Sequence, residues 1–172
     1  MNTIDDYYAI ARTHIDKSNR GMIILRGIPA SGKTTLAHQI VRTLTAQGTR
    51  AIRIGRDDVR RILCTGEIPG QKCAGDPNAE SMVTQFELTM IKAAANNGIE
   101  WVIEDSTNIY RHSTDRFSHL MFVELGVTPL LLDLEVDVDE AIARDVLRTD
   151  SCGEDVIRRM HAMKTSIDEG DQ

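Results

Sequence analysis

No apolar run in this sequence approaches the length needed to span a bilayer; the longest, such as Met22–Leu25 and Pro129–Leu132, are a few residues each. The start, Met1-Asn2-Thr3-Ile4-Asp5-Asp6, is acidic and carries neither the basic nor the apolar region of a secretion signal. Cysteine is sparse. Cys64, Cys73 and Cys152 are odd in number and lack metal-ligand spacing, which fits a reduced, cytoplasmic compartment with no membrane partner. There is no surplus of positive charge either. A net charge of −6 argues against a protein that coats long nucleic acid by neutralising many phosphates, though not against one that grips a chain end. Repeats and low-complexity segments are absent.

What is present reads as one globular domain of 172 residues, with 41% hydrophobic and 27% charged residues. Residues 4–17 suggest a leading helix, part of a leader over 1–20, with Ile4, Tyr8, Ile10, Ala11 and Ile15 inward. Strands are expected at 22–25, 51–54, 101–103 and 129–134. Helices are expected at 33–47, 57–64, 79–97, 113–125, 139–147 and 154–163, and a long glycine- and proline-containing loop at 65–78. Strands alternating with helices predict an α/β fold, a four-stranded parallel sheet covered on both faces, with its site at the carboxyl ends of the strands.

The sharpest motif is Gly27-Ile28-Pro29-Ala30-Ser31-Gly32-Lys33-Thr34, followed by Thr35, a full match to G-x-x-x-x-G-K-[ST] after an apolar strand and before an amphipathic helix. Its glycines permit the turn that aims backbone N–H groups at phosphates, and the next helix adds its positive end. Lys33, expected in an open, solvated position, would reach the β/γ-phosphates of ATP or another NTP, and Thr34 would complete Mg²⁺ coordination. A guanine-reading N-K-x-D is absent, and the chain is short for an AAA-type motor. A nucleotide-dependent switch or binding module stays as one alternative.

Five arginines (Arg50, Arg53, Arg56, Arg60, Arg61) crowd into twelve residues. Among them Arg56-Asp57-Asp58-Val59-Arg60 follows the second strand, expected beside the phosphate loop. Asp57 is placed to take a proton from an incoming hydroxyl, and Arg60, three residues on, shares its helix face and could hold an acceptor phosphate. A plain helix cap with arginines in solvent is the other reading. The third strand ends in Glu104-Asp105-Ser106-Thr107-Asn108; Asp105 could contact metal water, and Thr107 or Asn108 the acceptor. Arg144 and Arg148, four apart on one helix, precede a flexible turn at 149–153. The segment 144–155 reads as a lid whose Arg148, with Arg144 beside it, folds over the γ-phosphate.

Together these pieces resemble the kinase domain of phage-type 5′-OH polynucleotide kinases. The resemblance rests on G-x-P-x-S-G-K-[ST]-T at 27–35, R-D-D-x-R at 56–60, D-x-T-N at 105–108, the Arg144/Arg148 pair and D-V-[LI]-R-x-M at 155–160, in order over residues 22–165. It implies a kinase acting on the 5′-OH end of DNA or RNA in nucleic acid repair. Asp57 would be the general base, Arg60 the clamp on the acceptor's 3′-phosphate, Lys33 and Arg148 the donor-phosphate ligands and Thr34 the metal ligand. A phosphatase signature D-x-D-G-T is lacking, so the expectation is a kinase-only form. Small-molecule P-loop kinases, such as antibiotic phosphotransferases and zeta-toxin-like enzymes, share the loop and the aspartate and form the nearer alternative.

Overall fold

The computed structural model describes residues 2–63 and 77–170. In chain order the elements are α1 (Ile4–Ile15), β1 (Gly21–Arg26), α2 (Lys33–Ala46), β2 (Ala51–Ile54), α3 (Arg56–Leu63), α4 (Pro77–Asn96), β3 (Trp101–Asp105), α5 (Arg111–Leu125), β4 (Leu130–Asp133), α6 (Val138–Val146) and α7 (Glu154–Gly170). The four strands form one parallel sheet in the order β2-β3-β1-β4. The expected loop at 65–78, with Cys64 and Cys73, lies outside the described residues up to 76; Pro77 and Asn78 already belong to α4, with proline in the first-turn position that needs no N–H partner.

The sheet is buried on both faces, which is why β1 reads as an unbroken apolar run rather than an alternating one. Ile23 and Leu25 point to one side, with Trp101, Ile103 and Leu132, against α1 and α2. Met22 and Ile24 point to the other, with Ile54 and Val102, against Ile91 and Ala94 of α4 and Phe117 and Met121 of α5. A third cluster, Ile28, Ala141 and Ile157, fastens the loop after β1 to α6 and α7.

The leader is part of this core. A capping box at Thr3 and Asp6 starts α1, and its buried stripe is Tyr7, Ala11 and Ile15, one helical turn apart each time. Ile4 and Tyr8 pack partly against the same core. Ile10 does not: it is exposed, and Tyr7 takes the inward place, its hydroxyl accepting the Glu135 N–H at 3.0 Å.

Three further differences matter. The strand beside β1 is β3 rather than β2, so Asp57 stands one strand further from the phosphate loop than expected. β3 runs on through Glu104 and Asp105, which pair with Ile24 and Leu25; two carboxylates are thereby drawn into the sheet. Finally, α7 continues past Met163 to Gly170, where Asp168 bridges Arg26 of β1 (2.6 Å) and Lys164 (3.0 Å).

Candidate active site

The loop between β1 and α2 has the backbone that its glycines allow. Gly27 sits at φ +150°, where a Cβ would lie 2.7 Å from both the Leu134 carbonyl and Ser31 Oγ. Gly32 sits at φ +97°, where a Cβ would meet Ile4 of α1 at 2.6 Å. Ala30 takes the left-handed region without being glycine, at φ 60°. Pro29 and Ala30 are half-buried, Ser31 is buried, and Thr34 and Thr35 lie exposed in the first turn of α2.

Lys33 departs from the expected open position. Its side chain is buried and curls back so that Nζ donates to the carbonyls of Ile28 (2.7 Å) and Gly27 (3.0 Å) and to Ser31 Oγ (3.3 Å). The loop thus solvates its own ammonium, with no carboxylate among the described residues in hydrogen-bond contact. Burial pulls the Lys33 pKa down to about 8, while the charges of Asp105, Asp57 and Glu104 act in the opposite direction and Arg148 adds to the fall. Carboxylates from β3 and α3, and an arginine from beyond α6, therefore all lie within electrostatic reach of one lysine.

Asp105 is nearly inaccessible, and one of its oxygens, Oδ2, accepts from Arg53 Nη1 at 2.6 Å. Its other oxygen and the exposed Thr34 hydroxyl are a hard, oxygen-only pair. That suits Mg²⁺, which keeps several waters and takes its remaining ligands from phosphates and one or two protein groups. The residues present fit the ion.

On the acceptor side the two adjacent aspartates differ. Both Asp58 oxygens are held, one by Arg53 and one by Arg61 (2.6 Å). Asp57 is 73% exposed; its Oδ1 accepts from Arg60 Nη1 at 2.6 Å, and Oδ2 has no partner among the described residues. The shared helix face of Asp57 and Arg60 is thus observed. Arg60, however, is no free clamp. Its Nε and Nη2 donate to the two oxygens of Glu80, each at 2.9 Å, and Glu80 also takes Arg56 at 2.7 Å. Burial works against ionising Glu80, but Arg60 and Arg56 outweigh it and hold its carboxyl below the usual range.

Asn108 corrects a second expectation. It is buried in the left-handed region at φ 47°, and both of its amide hydrogens point inward, to the Leu25 carbonyl (2.8 Å) and to Glu104. It braces the loop instead of offering its donors to an acceptor. Thr107 does the same through its backbone, accepting the Gly27 N–H at 3.0 Å, while its side chain stays half-buried on a cleft wall. Beneath lies a carboxylate pair that sequence reasoning missed. Glu104 and Glu87 are both fully buried; Glu87 accepts from Ser106 (3.1 Å) and Arg56 (3.2 Å), and Glu104 keeps one oxygen unpaired. Burial, then repulsion from Glu87, pushes the Glu104 carboxyl well above its ordinary range; burial also raises Glu87. Glu80 and Glu87, seven apart on α4, share a helix face with Thr84, the one sequence signal that could have found them.

The expected lid is folded rather than loose. Buried Asp145 accepts from Ser151 Oγ (2.7 Å) and from the backbone N–H groups of Gly153 (2.9 Å) and Cys152 (3.1 Å), pinning the turn at 149–153. Arg148 is held by Asp150 through two 3.0 Å bonds. Arg144 reaches the phosphate loop itself, donating to the Ala30 carbonyl at 3.5 Å while paired with Glu140.

Among the described residues no helix is long and apolar enough to cross a membrane. Against known structures, the chain is similar to a chain of the Pnkp1/Rnl/Hen1 RNA repair complex, with 22% identity over 88% of this chain and a TM-score of 0.68. A second structure of the Pnkp1/Rnl/Hen1 complex gives 23% identity over 73% and a TM-score of 0.58. In these two the match spans 46% and 38% of the other chain, so this chain corresponds to less than half of their length. A protein of Chloroflexus aurantiacus provisionally named a kinase is 18% identical over 83% of this chain and 75% of its own, with a TM-score of 0.64. At these identities the likeness establishes the P-loop kinase-like fold. Residues 22–167, all but the leader and the last few residues, fit the AAA domain family, and the chain belongs to it.

Proposed function

We propose that this chain is a Mg²⁺-dependent polynucleotide 5′-hydroxyl kinase that transfers the γ-phosphate of ATP or another NTP to the 5′-OH end of DNA or RNA. The observation that carries the reading is the contrast between neighbouring aspartates: Asp58 has an arginine on each oxygen, whereas exposed Asp57 keeps one oxygen without a partner among the described residues. A general base needs such an oxygen, within reach of the hydroxyl it deprotonates.

The 5′-hydroxyl oxygen bonds to the γ-phosphorus as its bond to the β,γ-bridging oxygen breaks; the proton passes to Asp57 and the nucleoside diphosphate leaves. Mg²⁺, held through Thr34 and Asp105, supplies charge neutralisation at the phosphates. Lys33 exchanges the loop carbonyls for phosphate oxygens. Arg148, on exchanging Asp150 for the donor, stabilises charge in transfer, and Arg144 borders the loop. Arg60 keeps Asp57 oriented and, where Glu80 yields, meets the acceptor phosphate. The similarity to a chain of the Pnkp1/Rnl/Hen1 RNA repair complex supports a nucleic-acid acceptor.

A small-molecule kinase remains the second reading, favoured by one observation: Glu80 pairs with both Arg56 and Arg60 and Asp57 with Arg60, two carboxylates for two guanidiniums, which leaves little net positive charge where a polynucleotide end would dock. The test offers γ-labelled ATP and Mg²⁺ with a 5′-OH oligonucleotide, a nucleoside 3′-monophosphate or an aminoglycoside. Label on the first two supports the proposal; label on the aminoglycoside alone overturns it in favour of the second reading.

A further inference from the structure

Two adjacent cavities, of about 400 and 230 Å³, open at Arg56, which precedes Asp57 in α3, and both are walled by Arg56, Thr84 and Arg116. Of the two arginines, Arg56 is occupied by Glu80 and Glu87. Arg116 of α5 is different: half-buried between the cavities, it has no hydrogen-bond or ion-pair partner among the described residues. A guanidinium removed from much of its water and given no carboxylate is an anion ligand in waiting, because five N–H donors stand in a planar fork that matches phosphate. At the smaller cavity the start of α5 adds two aromatic rings, Tyr110 at its N-cap and His112 in its first turn, stacked at 5.3 Å between centroids with 24° between planes. Both residues are exposed. Exposed stacked rings beside an unpaired arginine are the elements that bind a base and its phosphate, stacking for the first and a charged fork for the second.

We infer that Arg116, with the Tyr110–His112 pair, forms the subsite for the first nucleotide of the acceptor, Arg116 taking its 3′-phosphate and the rings its base. The inference rests on the proposed kinase function and names the phosphate ligand within it. It adds to Arg60, already held by Glu80 and Asp57, a second arginine that has no partner among the described residues. A nucleoside 3′-monophosphate is the smallest acceptor that fills both halves.

The experiment uses the full chain with Mg²⁺ and ATP, comparing kcat/KM for adenosine 3′-monophosphate in wild type, Arg116→Ala, Arg116→Lys and Tyr110→Ala. Direct binding of adenosine 3′-monophosphate and of ATP is measured by calorimetry on the same proteins, after melting curves establish that each is folded. Loss of one charge-assisted contact predicts a roughly 10- to 150-fold drop in kcat/KM for Arg116→Ala. Arg116→Lys recovers part of it, and Tyr110→Ala loses roughly 5- to 100-fold. In each variant the dissociation constant for ATP stays within about twofold of wild type. If the wild type is active and Arg116→Ala matches it, the inference is overturned and the kinase reading stands. If the wild type transfers nothing to any 5′-OH acceptor yet binds adenosine 3′-monophosphate in an Arg116-dependent way, the kinase reading falls and the subsite stands. If there is neither transfer nor Arg116-dependent binding, both fall.

Discussion

The donor and acceptor halves of the site are built on opposite principles. Around the phosphate loop, contacts are short-range in sequence: Lys33 meets Gly27, Ile28 and Ser31, all within six residues, and the polar partners are mostly backbone. On the acceptor side the partners are side chains brought together by packing. Arg56 and Arg60 of α3 meet Glu80 on α4; Arg56 also meets Glu87, which Ser106 joins from the end of β3. Among the described residues the first half holds its charge without a counter-ion in contact; the second pairs the arginines of α3 with carboxylates and leaves Arg116 of α5 unpaired. A site of this kind is primed to receive the donor's anions on one side and, on the other, to orient a hydroxyl with one arginine open to a phosphate.

Removing the proposed base gives the largest break in this contrast. Asp57→Asn preserves shape but cannot accept a proton, and is expected to lower kcat by about 100- to 10,000-fold with KM for ATP little changed. A loss below tenfold would return the acceptor half to a purely structural role. On the donor half, Lys33→Ala is expected to reduce transfer by at least about 100-fold, the scale of one preorganised group in the transition state. It should not lower the melting temperature at neutral pH, since a buried ammonium whose pKa has dropped to about 8 is a cost to the fold that the variant removes.

The same value of about 8 sets a pH dependence. Phosphate binding requires the charged lysine, so ATP affinity should be flat below pH 8 and fall above it, by up to about tenfold per pH unit, in a direct binding titration. Wild-type stability, by contrast, should gain from Lys33 as pH rises above 8, because the folded lysine releases its proton before the unfolded one does.

The smallest effect sharpens the acceptor half. Glu104 has a raised pKa and is protonated where an ordinary carboxyl is not, so its contribution is fully present at low pH and is lost as pH climbs from the ordinary carboxylate range through the raised value. Glu104→Gln mimics the protonated form. It should stay within about 0.5 kcal/mol of wild type near neutrality in urea titrations and flatten part of the decline in stability with pH.

The same division explains what could be read from the sequence. The phosphate loop is a contiguous run whose function follows from local backbone geometry, and the strand-helix alternation around it was legible from apolar runs. Asp57 was read from its place just after the second strand, and its shared helix face with Arg60 from helical spacing. Glu80, Glu87 and Arg116 were not legible, because their meaning depends on how α3, α4 and α5 pack, and nothing in a helix's own sequence states what faces it. Asn108 read as an acceptor contact because a polar residue at the carboxyl end of a strand faces the site in such sheets; only the left-handed turn and the Leu25 carbonyl reveal the bracing role. Ile10 and Tyr7 exchanged places because a modest amphipathic pattern leaves the helix's rotation to its neighbours. The strand order likewise came from the fold, since chain order alone does not say that β3 inserts between β1 and β2.

The central claim is that the two halves work together as a phosphotransferase. A single-turnover experiment tests it most directly: protein preloaded with Mg²⁺ and γ-labelled ATP is mixed with excess 5′-OH oligonucleotide, and the fate of the label is followed in time. The account predicts that the label moves to the 5′ oxygen of the oligonucleotide, with inorganic phosphate a minor product. Label released only as inorganic phosphate, at a rate indifferent to the oligonucleotide, would contradict it and make the protein a nucleotide-hydrolysing switch.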